Sequence, residues 1–393
     1  MKKIFFVISV ILYLNGFIFA ETTVDNSKDY LVSSQSDFDS LTAIGIRQIY
    51  NIKFEDAEIT FRKLIADYPE SPAGRFFLAM IDWWKILLDL DIEKYDDIFF
   101  QKIEDVVYQC DEILKREPQN VDALFFKGGA IGFRGRLRAI RESWLKAADD
   151  GREALPIVQR ASKIDPDNKD VELGFGIYNY YASVIPDRYP LIKPLMLFFP
   201  NGDKEKGINQ LRNTAFNGKY ANYEARYFLM TLYFQFESDA YAAEEFAKLL
   251  NEDFPDNPVF ERWRGRIAVR RGAMQLVDSL FMNVYNKCKL NYPGYNNKGE
   301  REAVYYLGVH HKDNRNIDSA KYFFHRCEEL SLGMDKKEES GFLINSVLYL
   351  GMLYDESGER EKAIEFYNRV LKMKDFSSSR KWAESYIKTP YRR

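Results

Sequence analysis

Histidine is nearly missing from this chain of 393 residues: His310, His311 and His325 are its whole supply. A metal centre needs several ligands converging on one point, so none is expected. Cysteine is as scarce. Cys110, Cys288 and Cys327 lie far apart, none stands in a CxxC pair, and an odd number cannot close a disulfide framework. They read as small buried thiols of a core. There is no G-x-S-x-G, no H-E-x-x-H, no P-loop and no G-x-G-x-x-G. The carboxylates are scattered, with no pair set apart as acid and base. No catalytic residue, metal or cofactor is expected, and the chain does not read as an enzyme. Positive charge is not in excess either: 56 Lys and Arg face 59 Asp and Glu, a formal net charge of −3. Such a surface has no field to neutralise a phosphate backbone, which excludes nucleic acid as the default partner.

Long apolar runs are missing except at the start. Met1-Lys2-Lys3 is a short positive region, and Ile4 to Phe19 is apolar apart from Ser9, Asn15 and Gly16. Ala20 then precedes the polar Glu21-Thr22-Thr23. That order is the layout of an export signal with cleavage after Ala20. Ile18, at the third position before the cut, is larger than usual, so an uncleaved N-terminal anchor is the alternative. No cysteine stands at the cut to take a lipid. The expected location is the periplasm, the cell envelope or the exterior, with at most a peripheral membrane contact. Residues 21–37, rich in Ser, Thr and Asp, read as a flexible leader.

What the sequence has in plenty is aromatic rings, 30 Phe and 26 Tyr among them, and a repeat in which they take part. In Val347, Leu350-Gly351, Tyr354, Ala363, Tyr367 and Val370 large and small residues alternate at fixed offsets. The same ruler fits Val304, Leu307-Gly308, His311, Ala320, Phe324 and Cys327. It fits Leu41, Ile44-Gly45, Ala57, Phe61, Leu64 and Pro69, and again Tyr227, Met230, Phe234, Ala243, Ala247, Leu250 and Pro255. Proline closes four recurring phrases, Asp67-Tyr68-Pro69, Arg116-Glu117-Pro118, Ile164-Asp165-Pro166 and Asp253-Phe254-Pro255, where a helix is expected to stop. Small residues on such a ruler let two helices cross closely, and large ones fill the space between successive pairs.

This ruler resembles the tetratricopeptide repeat (TPR) family over nearly all of residues 38–376. The resemblance implies an all-α, right-handed α-solenoid of about eight helix pairs, the second, third, fourth and sixth degenerate. It also implies a non-catalytic scaffold whose concave groove, lined by the first helix of each pair, binds a peptide or protein segment. Residues 377–393 would then supply a C-terminal capping helix and tail, opened by Ser377-Ser378-Ser379 as an N-cap run.

Two features stand outside the ruler. Residues 185–203 carry Pro186, Pro190, Pro194 and Pro200 and the apolar stretch Leu195 to Phe199. They read as an insertion within the fourth pair that covers apolar helix faces, or as a loop whose Leu197 and Phe198 meet a partner or a membrane surface. In the second of those readings the protein is a structural part of an outer-membrane assembly. The flanking Gly174-Phe175-Gly176-Ile177-Tyr178-Asn179-Tyr180-Tyr181 and Gly202-Asp203-Lys204-Glu205-Lys206-Gly207, with Leu211, resemble one helix pair of long bacterial-envelope TPR proteins. A eukaryotic branch of these is known as the inclusion-body-clearance or outer-membrane TPR group. Nothing catalytic is implied by that likeness. Tyr178 and Tyr181 read as core or, with Tyr180, as the wall of a small-ligand site.

The other feature is basic. Arg134, Arg138 and Arg141 share one helix face, as do Arg262, Arg266 and Arg270. A guanidinium fork suits carboxylates. These faces are expected either to hold an acidic partner or to pair locally with Glu142, Asp149, Asp150 or Glu261. The glycines 128, 129, 132 and 135 read as close helix crossings.

Overall fold

The computed structural model describes residues 32–188 and 201–392; the expected export signal, Leu197 and Phe198 lie outside them. Every regular element among the described residues is helical. The chain divides after Ser238 into two compact units. The first holds α1 (Val32–Tyr50), α2 (Phe54–Asp67), α3 (Ala73–Leu88), α4 (Asp96–Arg116), α5 (Val121–Ile140), α6 (Trp144–Ile164), α7 (Glu172–Arg188), α8 (Lys204–Asn217) and α9 (Asn222–Leu232). A π-helical turn, Tyr233–Glu237, extends α9. The second unit holds α10 (Ala240–Asp253), α11 (Pro258–Arg271), α12 (Met274–Lys289), α13 (Asn297–Asp313), α14 (Ile317–Met334), α15 (Gly341–Glu356), α16 (Arg360–Lys372) and α17 (Ser379–Lys388).

Helix ends fall where local chemistry puts them. Asn120, Asp203, Asp239, Asn257, Asn296 and Ser340 each accept a first-turn N–H through the side chain. All four proline phrases follow directly on α2, α4, α6 and α10. α1 begins at Val32, inside the stretch read as a leader. α7 runs on through Pro186 to Arg188, so helix extends into the expected insertion, and α8 resumes at Lys204. The start of α17 differs from expectation. Ser378 sits at φ +64° and makes no side-chain cap; Asp375 instead accepts the N–H of Arg380 at 3.1 Å and the hydroxyl of Ser379 at 3.3 Å. A carboxylate one turn earlier does the work the serine run was assigned.

Glycine against an aromatic ring is the key of three of the four pairs that the ruler fits; the fourth has Thr231 in the glycine's place. A Cβ on Gly45 would run into the ring of Phe61, on Gly308 into Phe324 and on Gly351 into Tyr367. Each ring is buried and follows its glycine by the same offset, so the first helix of the pair lies flat on the ring of the second. Gly265 and Phe281, on α11 and α12, repeat this key in a pair the sequence marked as degenerate. The three cysteines are buried and free, and burial pushes the thiols of Cys110 and Cys288 up to about 12, which suits core residues rather than nucleophiles. Among the described residues no helix is long and apolar enough to cross a membrane.

Candidate functional site

The arginine faces come first, because the sequence singled them out. Arg134 is buried; it donates from Nε to Asp150 at 2.8 Å and from Nη1 to Glu104 at 2.8 Å, and pairs with Glu153 at 2.9 Å. Arg138 reaches the same Asp150 at 2.5 Å. Arg141 grips both carboxylate oxygens of Asp96, at 2.5 and 2.9 Å, and the carbonyls of Leu90 and Ile92. These three side chains therefore tie α5 to α4, α6 and the turn before α4. Arg262 and Arg266 both clasp Glu302 of α13. Burial alone would raise that carboxyl, but the two guanidinium groups outweigh it and hold it at about 2. Arg270, one turn on, is exposed. Arg134, Arg138, Arg141, Arg262 and Arg266, on the faces expected to hold an acidic partner or to pair locally, are paired with the chain's own carboxylates. Of the local partners foreseen, Asp150 serves both Arg134 and Arg138.

The tyrosine block behaves differently. Tyr180 is fully buried and donates at 2.5 Å to Glu237 on the π-helical turn, which also takes Lys204 at 2.5 Å. It is a strut between α7, α8 and that turn. Tyr178 and Tyr181, on the same helix, line a cavity of about 230 Å³ inside the first unit. Burial raises the Tyr178 hydroxyl to about 12.

Residues of α1, α3, α5, α7 and α9, the first helices of successive pairs, supply most of the cavity wall, and α6 adds one side of it. The wall is mainly rings and aliphatic chains, with Phe76, Phe77, Met80, Trp84, Phe125 and Leu155 among them. Two pairs of glycines on α5 divide their roles. A Cβ on Gly128 would strike Val158, and one on Gly135 would press on Asp150 at 3.1 Å, so these two let α6 pack close. Gly129 and Gly132 also line the cavity, where a Cβ on Gly129 would find ordinary contact with Phe76 and one on Gly132 would meet nothing within 4 Å. Glycine inside a helix costs roughly 0.5–1 kcal/mol relative to alanine. At Gly132 no neighbouring atom explains that cost.

One end of the cavity is polar. Arg136 of α5 pairs with Glu224 of α9 at 2.5 Å, and its guanidinium lies 4.8 Å from the ring centre of Trp83 and 4.7 Å from that of Phe228. Tyr50 donates to the second oxygen of Glu224 at 3.4 Å, and burial together with that carboxylate raises its hydroxyl well above the usual range. Trp83 is fully buried in the lining, and its indole N–H finds no acceptor among the described residues. Sequence reasoning reached Tyr178 and Tyr181 but missed Arg136, Glu224 and Trp83. Arg136 stood inside the basic run yet off its shared face, which was the available signal. No group of His, Cys, Asp and Glu able to hold a metal occurs among the described residues.

Fold and key together define an all-α protein of TPR-like helix pairs, the α-solenoid class. Residues 346–373, spanning α15 and α16, match the family model of the tetratricopeptide repeat. No curated protein matches the chain. Among solved structures it is similar to the anaphase-promoting-complex hetero-tetramer Cut9-Hcn1 at 13% identity and a TM-score of 0.43, covering 85% of this chain and 59% of that one. It is likewise similar to yeast Tom70 at 10% identity and a TM-score of 0.35, covering 91% of this chain and 89% of that one. A human IFIT1 dimer with m7Gppp-AAAA is similar at 14% identity and 0.34, covering 82% and 68%. Overlaps this loose identify no partner for this chain.

Proposed function

We propose that the protein is a non-catalytic interaction scaffold, exported to the cell envelope or beyond, that takes an apolar segment of a partner molecule against the first-helix side of its first unit. The observation that carries this reading is the cavity itself: a hollow lined by alternate helices, apolar along its walls, polar at one end and open at Gly132. Concave surfaces lined by successive repeats are the usual binding faces of such proteins. A well-formed apolar pocket with a few convergent polar groups is the default place for a ligand to sit. The arginine faces support stability and do not enter the reading.

A photoreactive side chain placed at Gly132 in the exported protein tests it, with Ile59 on exposed α2 as the control position. Covalent capture of one partner from position 132 and not from 59 is the expected result. Equal labelling from both positions would sink the assignment of the face. The export reading has its own check: the mature chain should begin at Glu21, and a mature chain that retains Met1 would make the apolar start an anchor.

A further inference from the structure

The chemistry of the hollow restricts what can fill it. An apolar cavity of about 150 Å³ holds one benzene ring; this one, at about 230 Å³, has room for half as much again, the bulk of a medium-length alkyl chain. A peptide is a poor occupant. Its backbone N–H and C=O groups would enter an apolar trough whose carboxylates are already engaged: Asp170 accepts the N–H groups of Tyr220 and Ala221, and Glu224 accepts from Arg136 and Tyr50. Buried polar groups without partners are costly. A hydrocarbon chain has none.

The polar end is as selective. Arg136 and Glu224 neutralise each other there, so a charged head would bring a charge with no counterpart into a largely buried place. The indole N–H of Trp83, fully buried and without an acceptor among the described residues, asks for an oxygen. Gly132 leaves open space beside α5 where a chain would lie.

We propose that the cavity of the first unit holds a single apolar chain ending in a neutral, hydrogen-bond-accepting head, a single-chain amphiphile of the alkanol or monoacylglycerol kind. The head accepts from Trp83 beside the Arg136–Glu224 pair, and the chain runs past Gly132 between the rings. This rests on the cavity being the binding face and names what enters it.

Titration calorimetry on the intact exported protein decides the matter. Decanol and monodecanoylglycerol bind saturably and one to one, while decanoate and decyltrimethylammonium bind at least about tenfold more weakly. Gly132→Leu, which grows into open space, weakens decanol by about tenfold or more, and Gly132→Ala leaves it nearly unchanged. Trp83→Phe weakens decanol but not bromodecane, which has no accepting head; this variant carries the test if Gly132→Leu fails to fold by circular dichroism. Equal binding of the charged heads, unchanged binding in a folded Gly132→Leu, or no saturable binding by any probe would each overturn the proposal. Flotation with neutral phospholipid vesicles would overturn it too, in favour of a two-chain membrane lipid. A protein captured from position 132 by a chain that binds no amphiphile would end this inference and leave the scaffold standing; capture of nothing, with no amphiphile bound, would end both.

Discussion

Both units use glycine to let helices cross closely, but one glycine of the first lines a hollow. In the second unit Gly265, Gly308 and Gly351 each lie against a buried ring, and a Cβ at any of them would overlap it. In the first unit Gly45 plays that part against Phe61, but Gly132 faces open space, and the helix that carries it lines a cavity. The polar groups differ in the same sense. Glu302 in the second unit is clasped by two arginines within packed helices. Glu224 in the first unit meets its arginine at the end of a hollow, next to an indole N–H with no acceptor among the described residues. Helix pairs of one kind thus build packed crossings in the second unit and wall a hollow in the first.

The largest effect should come from Glu302. Glu302→Ala leaves Arg262 and Arg266 in a largely buried place without their counter-ion, and breaking such a pair costs about 3–5 kcal/mol. Thermal unfolding followed by circular dichroism should show the second unit melting well below its normal midpoint. An unchanged midpoint would mean that the clasp is as solvated as a surface pair, and the contrast between the units would lose its electrostatic half.

The same carboxyl makes the comparison depend on pH. Its folded pKa, held at about 2 by the two arginines against the upward push of burial, lies below an unfolded value of about 4.3. A depressed carboxylate contributes stability that is fully present above the unfolded pKa and lost as pH falls through the folded one. The contribution, of order 3 kcal/mol, should therefore fade between about pH 4.3 and about pH 2. Denaturant unfolding across that range should show the loss in wild type and a much flatter profile in Glu302→Gln. Parallel profiles would assign the acid sensitivity to other carboxylates.

Gly351→Ala comes next. The added methyl meets the ring of Tyr367, which is buried and donates to Asp355 at 2.9 Å, so the ring has little freedom to retreat. Overpacking of this kind costs typically 1–3 kcal/mol, more than alanine gains over glycine in a helix. A stabilised variant would show that the key is loose and that the ruler there reflects something other than close crossing.

How much of this could be read in advance follows from what each signal is made of. The ruler was legible because each position answers to its own pair, and Gly351–Tyr367 needs only those two helices. The sixth pair hid because Gly265 and Phe281 keep the key while the flanking positions drift. The basic faces were legible only in part, for a related reason. Spacing along α5 shows which arginines share a face, but not that Glu104 and Asp96, from another helix, wait opposite. The cavity was half visible: Tyr178 and Tyr181 stood out as a cluster, whereas Trp83, Arg136 and Glu224 come from three separate helices and meet only in the fold.

The smallest expected effect is also the sharpest test of the comparison. Gly132→Ala places a methyl where no atom lies within 4 Å, so it meets none of the resistance that Gly351→Ala meets. Alanine also narrows the unfolded ensemble and favours helix, which together stabilise by about 0.4–1 kcal/mol where the backbone is compatible. Gly132 sits within α5 with no positive φ to require glycine. The same substitution should then raise the unfolding midpoint at position 132 and lower it at position 351. Opposite signs from one chemical change would establish that the first unit gives up stability to keep its hollow. Destabilisation at both positions would mean that Gly132 is held by packing after all and that the hollow closes in solution.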